Sequence, residues 1–364
     1  MPEAPKPAVP DRVAVSKDGF FQPSVNLQMW AVAEHLGNSR TSDNEWSSTF
    51  RVRRAEIKAK GEIIPKTLGY AVMFDPARLL DFKSTSADVK DSTGASIGST
   101  SVLAPPSGGK SSILQDIQLT YMTDYADVSI GQFKVPLSLE GSGSATKLYF
   151  PERALISSKF GDRRDIGLKL EKKFEYFSYI LGLYNGEGQN NLDSNDQKDI
   201  VLRLEAYPIK DVTLAVVGYT SLGDRDLPGT KDRIEGDLKV EKNNFLLQAE
   251  AIRGWDVTGT PASHQKVEGQ GFYVLAGYTF FDKLQPVVRI GSVDPEVGKD
   301  EKGLIAVNGT NVDKNDEITA YELGVNYYLK KHDAKVQLAG SFFDPEQRGS
   351  NTTFDLILAT QVAF

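Results

Sequence analysis

The chain alternates apolar and polar residues over many short segments, from about residue 20 to its last residue, Phe364. Residues 200–206, for example, read IVLRLEA, so Arg203 and Glu205 lie on one face of an extended segment. A period of two is that of a β-strand with one apolar and one polar face. About 16 segments of this kind can be placed along the chain.

The connections between these segments alternate in length. Short connections are predicted at 61–66, 123–125, 173–175, 208–211, 241–244, 281–283 and 330–333. Long connections are predicted at 35–45, 75–111, 136–164, 185–198, 220–233, 255–269, 294–316 and 344–351. Antiparallel barrels that cross a membrane have this asymmetry, whereas a soluble sandwich or propeller has no reason to sort its loops in this way. The sequence therefore predicts an all-β fold, a single transmembrane antiparallel up-and-down β-barrel of about 16 strands.

Composition excludes several classes of protein. The chain has 42 Lys+Arg against 49 Asp+Glu and a formal net charge of −7, which argues against nucleic-acid binding through overall charge. It has no cysteine, so disulfide scaffolds, thiol catalysis and cysteine-based zinc sites are excluded. No run approaches the roughly 18 apolar residues that a membrane-spanning helix needs. No cofactor and no metal site are expected.

The two faces of each segment allow two interpretations. In a soluble protein the apolar face would be the core and the charged face would meet water. In a membrane barrel the apolar face meets lipid and the charged face lines a wet lumen. Periodicity alone does not separate the two. Aromatic residues near the ends of the predicted strands, most of them beside short turns, favour the barrel, because they fit an interfacial girdle; they are Phe177, Tyr179, Tyr207, Tyr219, Tyr278, Phe280, Tyr327 and Tyr328.

One long connection is unusual in its composition. Pro136 removes a backbone donor and ends a predicted strand, and about 25 residues rich in Gly and Ser follow it. A barrel of about 16 strands leaves a channel too wide to discriminate small ions, so selectivity needs a segment that narrows it. We expect residues 136–160 to fold into the lumen as this constriction. The cations in and beside the segment are Lys134, Lys147 and Arg153, and Glu140 and Glu152 oppose them.

Basic residues on the predicted strands are the other candidates for the pore lining, because Arg and Lys in a pore favour anions. They are Arg54, Lys58, Arg203, Arg233 and Arg289. Each of them has the alternative of a weak ion pair with an acid at a similar position. Arg53 and Arg54 are adjacent, so only one of them can point inward unless a β-bulge intervenes.

Three motifs resemble the family of phosphate-selective porins of the O and P type. GQFKVPLSLEGSGSATKLYFPERALI at 131–156 resembles its G-x-F-K-x-P-F-G-x-E stretch and the constriction loop that follows, with Leu137 and Ser138 in place of the usual Phe-Gly. FRVRRAEIKAKGEI at 50–63 resembles its R-x-R-R-A motif, and RRDIGLKL at 163–170 its R-x-I-G strand. The resemblance implies a 16-stranded trimeric barrel whose third long loop folds into the lumen. The terminal Phe364 also resembles the C-terminal signal that the barrel assembly machinery reads in bacterial outer-membrane proteins.

The resemblance and the patterns together predict an outer-membrane porin, a passive diffusion channel for small hydrophilic solutes with a modest preference for anions such as phosphate. The expected partners are outer-membrane lipid and lipopolysaccharide, the barrel assembly machinery and two further copies of the chain, and no nucleic acid. Residues 1–19, with four prolines in the first ten, are predicted to be a flexible lead-in to a barrel at 20–364. The expected location is the Gram-negative outer membrane with both termini periplasmic, after removal of a signal peptide that this chain does not show.

Two other functions are weighed against the porin. A receptor or adhesin would bind its partner through the long loops. A barrel lipase or protease would need catalytic residues, but the chain has only three histidines, His35, His264 and His332, and no G-x-S-x-G or H-E-x-x-H motif.

Overall fold

The computed structural model describes residues 13–14, 19–36, 46–81, 83–90, 96–104, 113–161, 163–260, 262–297, 304–307, 310–313, 317–345 and 353–364. Its main sheet has 17 strands, of which the first is the two-residue strand Val13–Ala14. The others form the barrel. We number them β1 Phe20–Leu36, β2 Trp46–Ile64, β3 Leu68–Phe74, β4 Leu114–Met122, β5 Asp127–Lys134, β6 Arg164–Lys173, β7 Phe177–Tyr184, β8 Lys198–Ala206, β9 Val212–Leu222, β10 Lys231–Lys242, β11 Phe245–Thr260, β12 Ser263–Tyr278, β13 Leu284–Asp294, β14 Ile318–Lys330, β15 Ala334–Pro345 and β16 Thr353–Ala363.

The barrel is closed and every pairing in it is antiparallel. Each strand pairs with the next in the chain, and β16 pairs back onto β1, from Asn26 opposite Ala363 to Leu36 opposite Thr353. Closure leaves no sheet edge between the first and last strands, as a membrane barrel requires. The predicted fold class is therefore confirmed. No helix among the described residues is long and apolar enough to cross a membrane.

Burial along the strands decides which face is inside. In β8, Arg203 is only 3% exposed, whereas its neighbours Leu202 and Leu204 are 42% and 44% exposed. In β16 the apolar residues Leu356, Leu358 and Val362 are all exposed in the same way. The charged face is thus the inner face and the apolar face is the outer one, which is the arrangement of a barrel that meets lipid.

All seven predicted short turns lie between strands of the barrel, within a few residues of their predicted positions. One predicted long loop is wrong. The chain at 255–269 is mostly strand, because β11 and β12 continue to Thr260 and Ser263 and are joined by two residues. The described residues at 258–260 and 262–266 are exposed and mostly polar, so the apolar alternation that marks a strand stops there. Two further antiparallel strand pairs, Lys83–Lys90 with Ser96–Ala104 and Leu304–Val307 with Thr310–Asp313, lie within predicted long connections.

The aromatic residues that were predicted near strand ends divide between the two faces of the barrel. Phe177, Tyr278 and Tyr327 are exposed on the outer face, as an interfacial girdle requires. Tyr219 and Tyr328 were predicted for the girdle but are buried on the inner face. Their hydroxyls donate hydrogen bonds to Asp199 and Gln285 there, which explains why an aromatic residue stands at an inward position.

Candidate functional site

The connection between β5 and β6, residues 135–163, contains three short helical turns. They are α1 Leu139–Ser142, a 3₁₀ turn at Ala145–Lys147 and α2 Leu155–Lys159. We call this connection the β5–β6 loop. It is well packed rather than exposed, and its contacts reach inner-face residues on eight strands, β1, β2, β10, β11, β13, β14, β15 and β16.

Apolar side chains attach one side of the loop to the wall. Leu137, Phe150 and Ile156 are each 1% exposed and belong to one cluster with inner-face residues such as Leu275 and Val287. Apolar residues at inward positions are unusual in a barrel whose lumen holds water. Their presence here marks the part of the wall that the loop covers, a signal that the sequence carried but that we did not use.

Polar side chains of the wall hold the carbonyl groups of the loop. Successive strands supply amide and ammonium donors, and the acceptors follow one another along residues 145–152. The donors and acceptors are Gln28 to Ala145, Gln361 to Thr146, Lys335 to Leu148, Asn326 and Gln337 to Tyr149, and Arg289 to Glu152. Because buried carbonyl groups need donors, this row of inward side chains fixes both the path and the depth of the loop.

Ser138 carries the sharpest backbone feature of the loop. It has φ 66° and ψ 133°, a region that L-residues rarely adopt and that a glycine would enter freely. Its side chain offsets part of this strain. The hydroxyl forms a hydrogen bond with the Ser157 hydroxyl at 2.7 Å and accepts one from the N–H of Gly141 at 3.1 Å. Its own N–H donates to Glu235 at 2.7 Å. Serine at the glycine position of the family motif therefore accepts the strained backbone and forms side-chain hydrogen bonds that glycine could not form.

A β-bulge in β2 brings two adjacent arginines to one carboxylate. Gln28 pairs with Arg54 and Met29 pairs with Val52, so Arg53 is the extra residue. Both guanidiniums reach Glu152 of the β5–β6 loop, Arg53 at 2.7 Å and Arg54 at 3.2 Å. Burial alone would raise the pKa of the Glu152 carboxyl, but Arg53, Arg54 and Arg153 outweigh it and hold the pKa well below its usual range. The sequence allowed both Arg53 and Arg54 to point inward only if a β-bulge lay between them, and this bulge is present.

The second acid of the loop, Glu140, has to share its arginine with another carboxylate. Glu140 accepts from Arg289 at 3.1 Å and from the N–H of Ala154 at 2.7 Å. Arg289 also binds Glu322, at 2.8 Å, so one guanidinium serves two carboxylates. Burial, only partly offset by Arg289 and the Ala154 N–H, therefore raises the pKa of the Glu140 carboxyl.

The three predicted loop cations occupy different environments. Lys134 donates to the carbonyl groups of Gly141 and Gly143, at 2.8 and 2.6 Å. Arg153 is buried and donates to the carbonyl group of Glu140 at 2.8 Å. Lys147 is exposed. The first two therefore shape the loop from within, and Lys147 is the one of the three that presents its charge to water.

The predicted wall cations lie on the inner face, and most of them are paired. Arg203 contacts Glu205 and Asp237, both at 2.8 Å, and is buried. Arg233 pairs with Asp256 and lies over the ring of Phe160. Lys58 is half-buried on β2, three residues beyond Ala55. Pairing, the alternative that the sequence left open, applies to Arg54, Arg203, Arg233 and Arg289.

A cavity of about 510 Å³ lies beside the bulge. The end of β3 shapes one side of it: β3 stops at Phe74, and the carboxylate of Asp75 accepts from the N–H of Ala55 where β2 loses its neighbour. The cavity is lined by Trp30, Val32, Glu34, Phe50, Arg51, Val52, Arg53, Ala77, Arg78, Leu80, Phe150, Pro151, Glu152, Glu322, Ala339, Ser341, Phe343, Asp355 and Ile357. Of these, sequence analysis had singled out the acid Glu152 and the arginine Arg53. In the part of the chain that the structure describes, no group of three or more His, Asp or Glu could hold a metal ion.

A family model described as phosphate-selective porin O and P matches residues 24–221 and 218–362, nearly the whole barrel. The chain belongs to this family. It is an outer-membrane porin, a diffusion channel built as a closed β-barrel. No curated protein matches the sequence significantly.

Solved structures resemble the chain in fold at low sequence identity. The outer membrane channel DcaP of Acinetobacter baumannii has a TM-score of 0.64 and 10% identity, over 97% of this chain and 100% of that one. An anion-selective porin from Comamonas acidovorans has a TM-score of 0.60 and 9% identity, over 95% and 100%. OmpT of Vibrio cholerae has a TM-score of 0.58 and 12% identity, over 97% and 100%. Identities this low support the shared barrel and nothing finer.

Proposed function

We propose that the β5–β6 loop lies inside the barrel and forms the narrowest part of a channel with a modest preference for anions such as phosphate. The observation that carries this proposal is the row of contacts between the loop and inner-face residues on both sides of the barrel seam, from β10 through β16 to β1 and β2. Contacts with the inner face of so many strands support a segment that crosses the lumen. Water and ions then pass along the side that the loop leaves open.

The charge of the constriction supports a slight anion preference. Lys147 is exposed, whereas Glu140 and Glu152 are held by arginines. Most inward cations are also paired, so no strongly positive surface remains to act as a strict phosphate filter. The preference therefore arises from a few exposed cations in a confined space, where screening by salt is weaker than in bulk water.

The assembly and orientation follow the same proposal. The short turns face the periplasm together with both chain ends, and the long loops face outward. Phe364 serves the barrel assembly machinery, and lipopolysaccharide surrounds the outer half of the wall. A trimer is the proposed oligomer, supported by family membership and by OmpT of Vibrio cholerae, for which a trimer form is described. We propose a channel rather than an enzyme, and membership of a porin family supports this.

Planar bilayer recordings test the proposal. The purified protein is expected to open in steps and to give a small reversal potential toward anions in a KCl gradient. The double variant Lys134→Glu/Lys147→Glu should shift that potential toward cations, and Lys147→Glu alone should carry most of the shift because Lys134 is turned into the loop. Unchanged selectivity and conductance in both variants would show that the loop is not the constriction. A protein that folds but does not conduct would favour the receptor or adhesin instead.

A further inference from the structure

Part of the lining of the cavity beside the bulge is apolar, and an inorganic ion gains nothing from contact with an apolar surface. One wall is an apolar patch of Trp30, Val32 and Ile357. This patch is separate from the cluster under the β5–β6 loop, so docking of the loop does not account for it. Phe150 and Pro151 of the loop add apolar surface opposite.

Three arginines lie along the same cavity. Arg51 stands directly across from Trp30 in the β1–β2 pairing, and the Arg53 guanidinium lies 5.4 Å from the centre of the Trp30 ring. Arg78, in the turn after β3, completes the set. The cations are therefore in contact with the apolar patch or next to it, rather than at the far side of the cavity.

In each ion pair of the cavity, the arginine side chain is more exposed to water than its acidic partner. The side chain of Arg51 is 36% exposed against 10% for its partner Glu34. Arg53 is 24% exposed against 15% for Glu152, and Arg78 is 31% exposed against 2% for Asp75. The three arginine side chains are thus more exposed than the acids with which they pair, and the other two acids of the lining, Glu322 and Asp355, are only 9% and 3% exposed. Guanidinium has five donors in a planar fork, so each can hold its carboxylate and still bind a second one.

We propose that this cavity is a binding site for small organic anions, carboxylates with a compact apolar body, on their way through the channel. The carboxylate lies between Arg51 and Arg53, and the apolar body lies against Val32 and Ile357. The volume of about 510 Å³ is within the range of small-molecule sites. This inference rests on the proposed channel function and names a solute class that phosphate transport alone would not require.

Current block in planar bilayers tests the site. Benzoate is the probe, and acetate and inorganic phosphate are the comparison anions, each added to the full chain conducting KCl. Benzoate is expected to reduce the current at a concentration about fivefold lower than acetate or phosphate, because only benzoate gains from the apolar patch. Equal block by benzoate and acetate in the native protein would overturn the inference.

Two variants separate the parts of the site. Val32→Thr/Ile357→Thr keeps β-branched side chains, although it shortens residue 357 by one carbon, and makes the patch polar, so it should remove the advantage of benzoate over acetate. Arg51→Gln should weaken block by all three anions. Arg225→Gln, an exposed arginine of the β9–β10 loop, is the matched control and should leave block unchanged. Loss of benzoate preference in the control, or its persistence in the threonine variant, would contradict the assignment, while normal KCl conductance throughout leaves the proposed channel intact.

Discussion

The two acids of the β5–β6 loop differ in the number of guanidiniums that each one meets. Glu152 is one carboxylate between Arg53 and Arg54, whereas Glu140 shares Arg289 with Glu322. The counts explain why the pKa of Glu152 is lowered and the pKa of Glu140 is raised. They also predict different responses to the same substitution.

Glu152→Gln should destabilise the folded barrel by on the order of 3 kcal/mol, because it leaves two inward guanidiniums without their carboxylate. Glu140→Gln should cost less, because Arg289 keeps Glu322 as its partner when the charge of Glu140 is removed. The temperature at which heat-modifiable mobility is lost measures both effects. Equal losses in the two variants would contradict this account of the charge balance.

The raised pKa of Glu140 also gives a pH dependence. The folded state holds this proton more tightly than the unfolded chain, whose value is 4.5, so its stabilising effect is complete below that pH and is lost as the pH rises through the folded-state pKa. As the pH rises above 4.5, the unfolding temperature of the native protein should therefore fall more than that of Glu140→Gln. Parallel curves for the two proteins would show that Glu140 does not titrate in this way.

His332 should act in the opposite sense, in the short turn between β14 and β15. Burial, and Lys335 after it, lower the pKa of this imidazole from 6.5 to about 4, with Glu241, Lys239 and Lys147 also in range. Its ring lies edge-on to Tyr149 and Tyr328, and its Nδ1 has no hydrogen-bond partner. The neutral ring stabilises the fold above pH 6.5, and that contribution is lost as the pH falls toward 4. His332→Phe keeps an aromatic ring and should resist a drop from pH 7 to pH 5 better than the native protein; an equal drop in unfolding temperature would argue against it.

At the scale of elements, the β5–β6 loop depends on one close approach. A Cβ on Gly161 would lie 2.3 Å from the Cβ of Ser138, and the bonds of Ser138 leave that residue no room to move. Gly143 has an ordinary backbone conformation, with φ −67°, and a Cβ there would be 3.1 Å from the carbonyl oxygen of Leu139.

Gly161→Ala should therefore displace the loop and change the single-channel conductance, whereas Gly143→Ala should change it little. Both proteins should still fold, because neither residue lies in a strand of the barrel. Identical conductance in Gly161→Ala and the native protein would mean that the loop tolerates the shift or does not border the channel.

The sequence predicted elements better than contacts. Alternation marks a strand wherever one face meets lipid, and the seven short turns followed directly. It failed at 255–269, where β11 and β12 extend as a hairpin of mostly polar residues. The sequence also could not show the bulge at Arg53, because a bulge is defined by the pairing of two strands, here Gln28 with Arg54 and Met29 with Val52. The pair of Arg289 with Glu140, 149 residues apart, belongs to the same class of unpredictable contact.

At the scale of the whole molecule, the last residue closes the barrel. The N–H of Phe364 donates to the carbonyl group of Val25 at 3.0 Å, and its own carbonyl accepts from Val25 at 2.7 Å. Its side chain is exposed and continues the outer apolar face of β16. Phe364 therefore adds both ladder bonds and lipid contact at the seam between β16 and β1.

Deleting Phe364 should lower the amount of folded protein in outer membranes by removing those bonds and the terminal aromatic residue. Phe364→Tyr is the matched variant and should retain most of the folded yield, because it keeps the backbone and the ring. Unchanged yield and unchanged heat-modifiable mobility after the deletion would exclude a role in assembly.

The central claim is that the β5–β6 loop narrows a conducting lumen, and the absence of native cysteine allows a direct test. In Lys147→Cys, labelling with a negatively charged methanethiosulfonate should lower the single-channel conductance and shift the reversal potential in a KCl gradient toward cations. A positively charged reagent of similar size should also lower the conductance but restore the preference for anions. The same treatment of Arg225→Cys, outside the proposed constriction, should change neither quantity. Complete labelling of Lys147→Cys without any change in conductance or reversal potential would contradict the account.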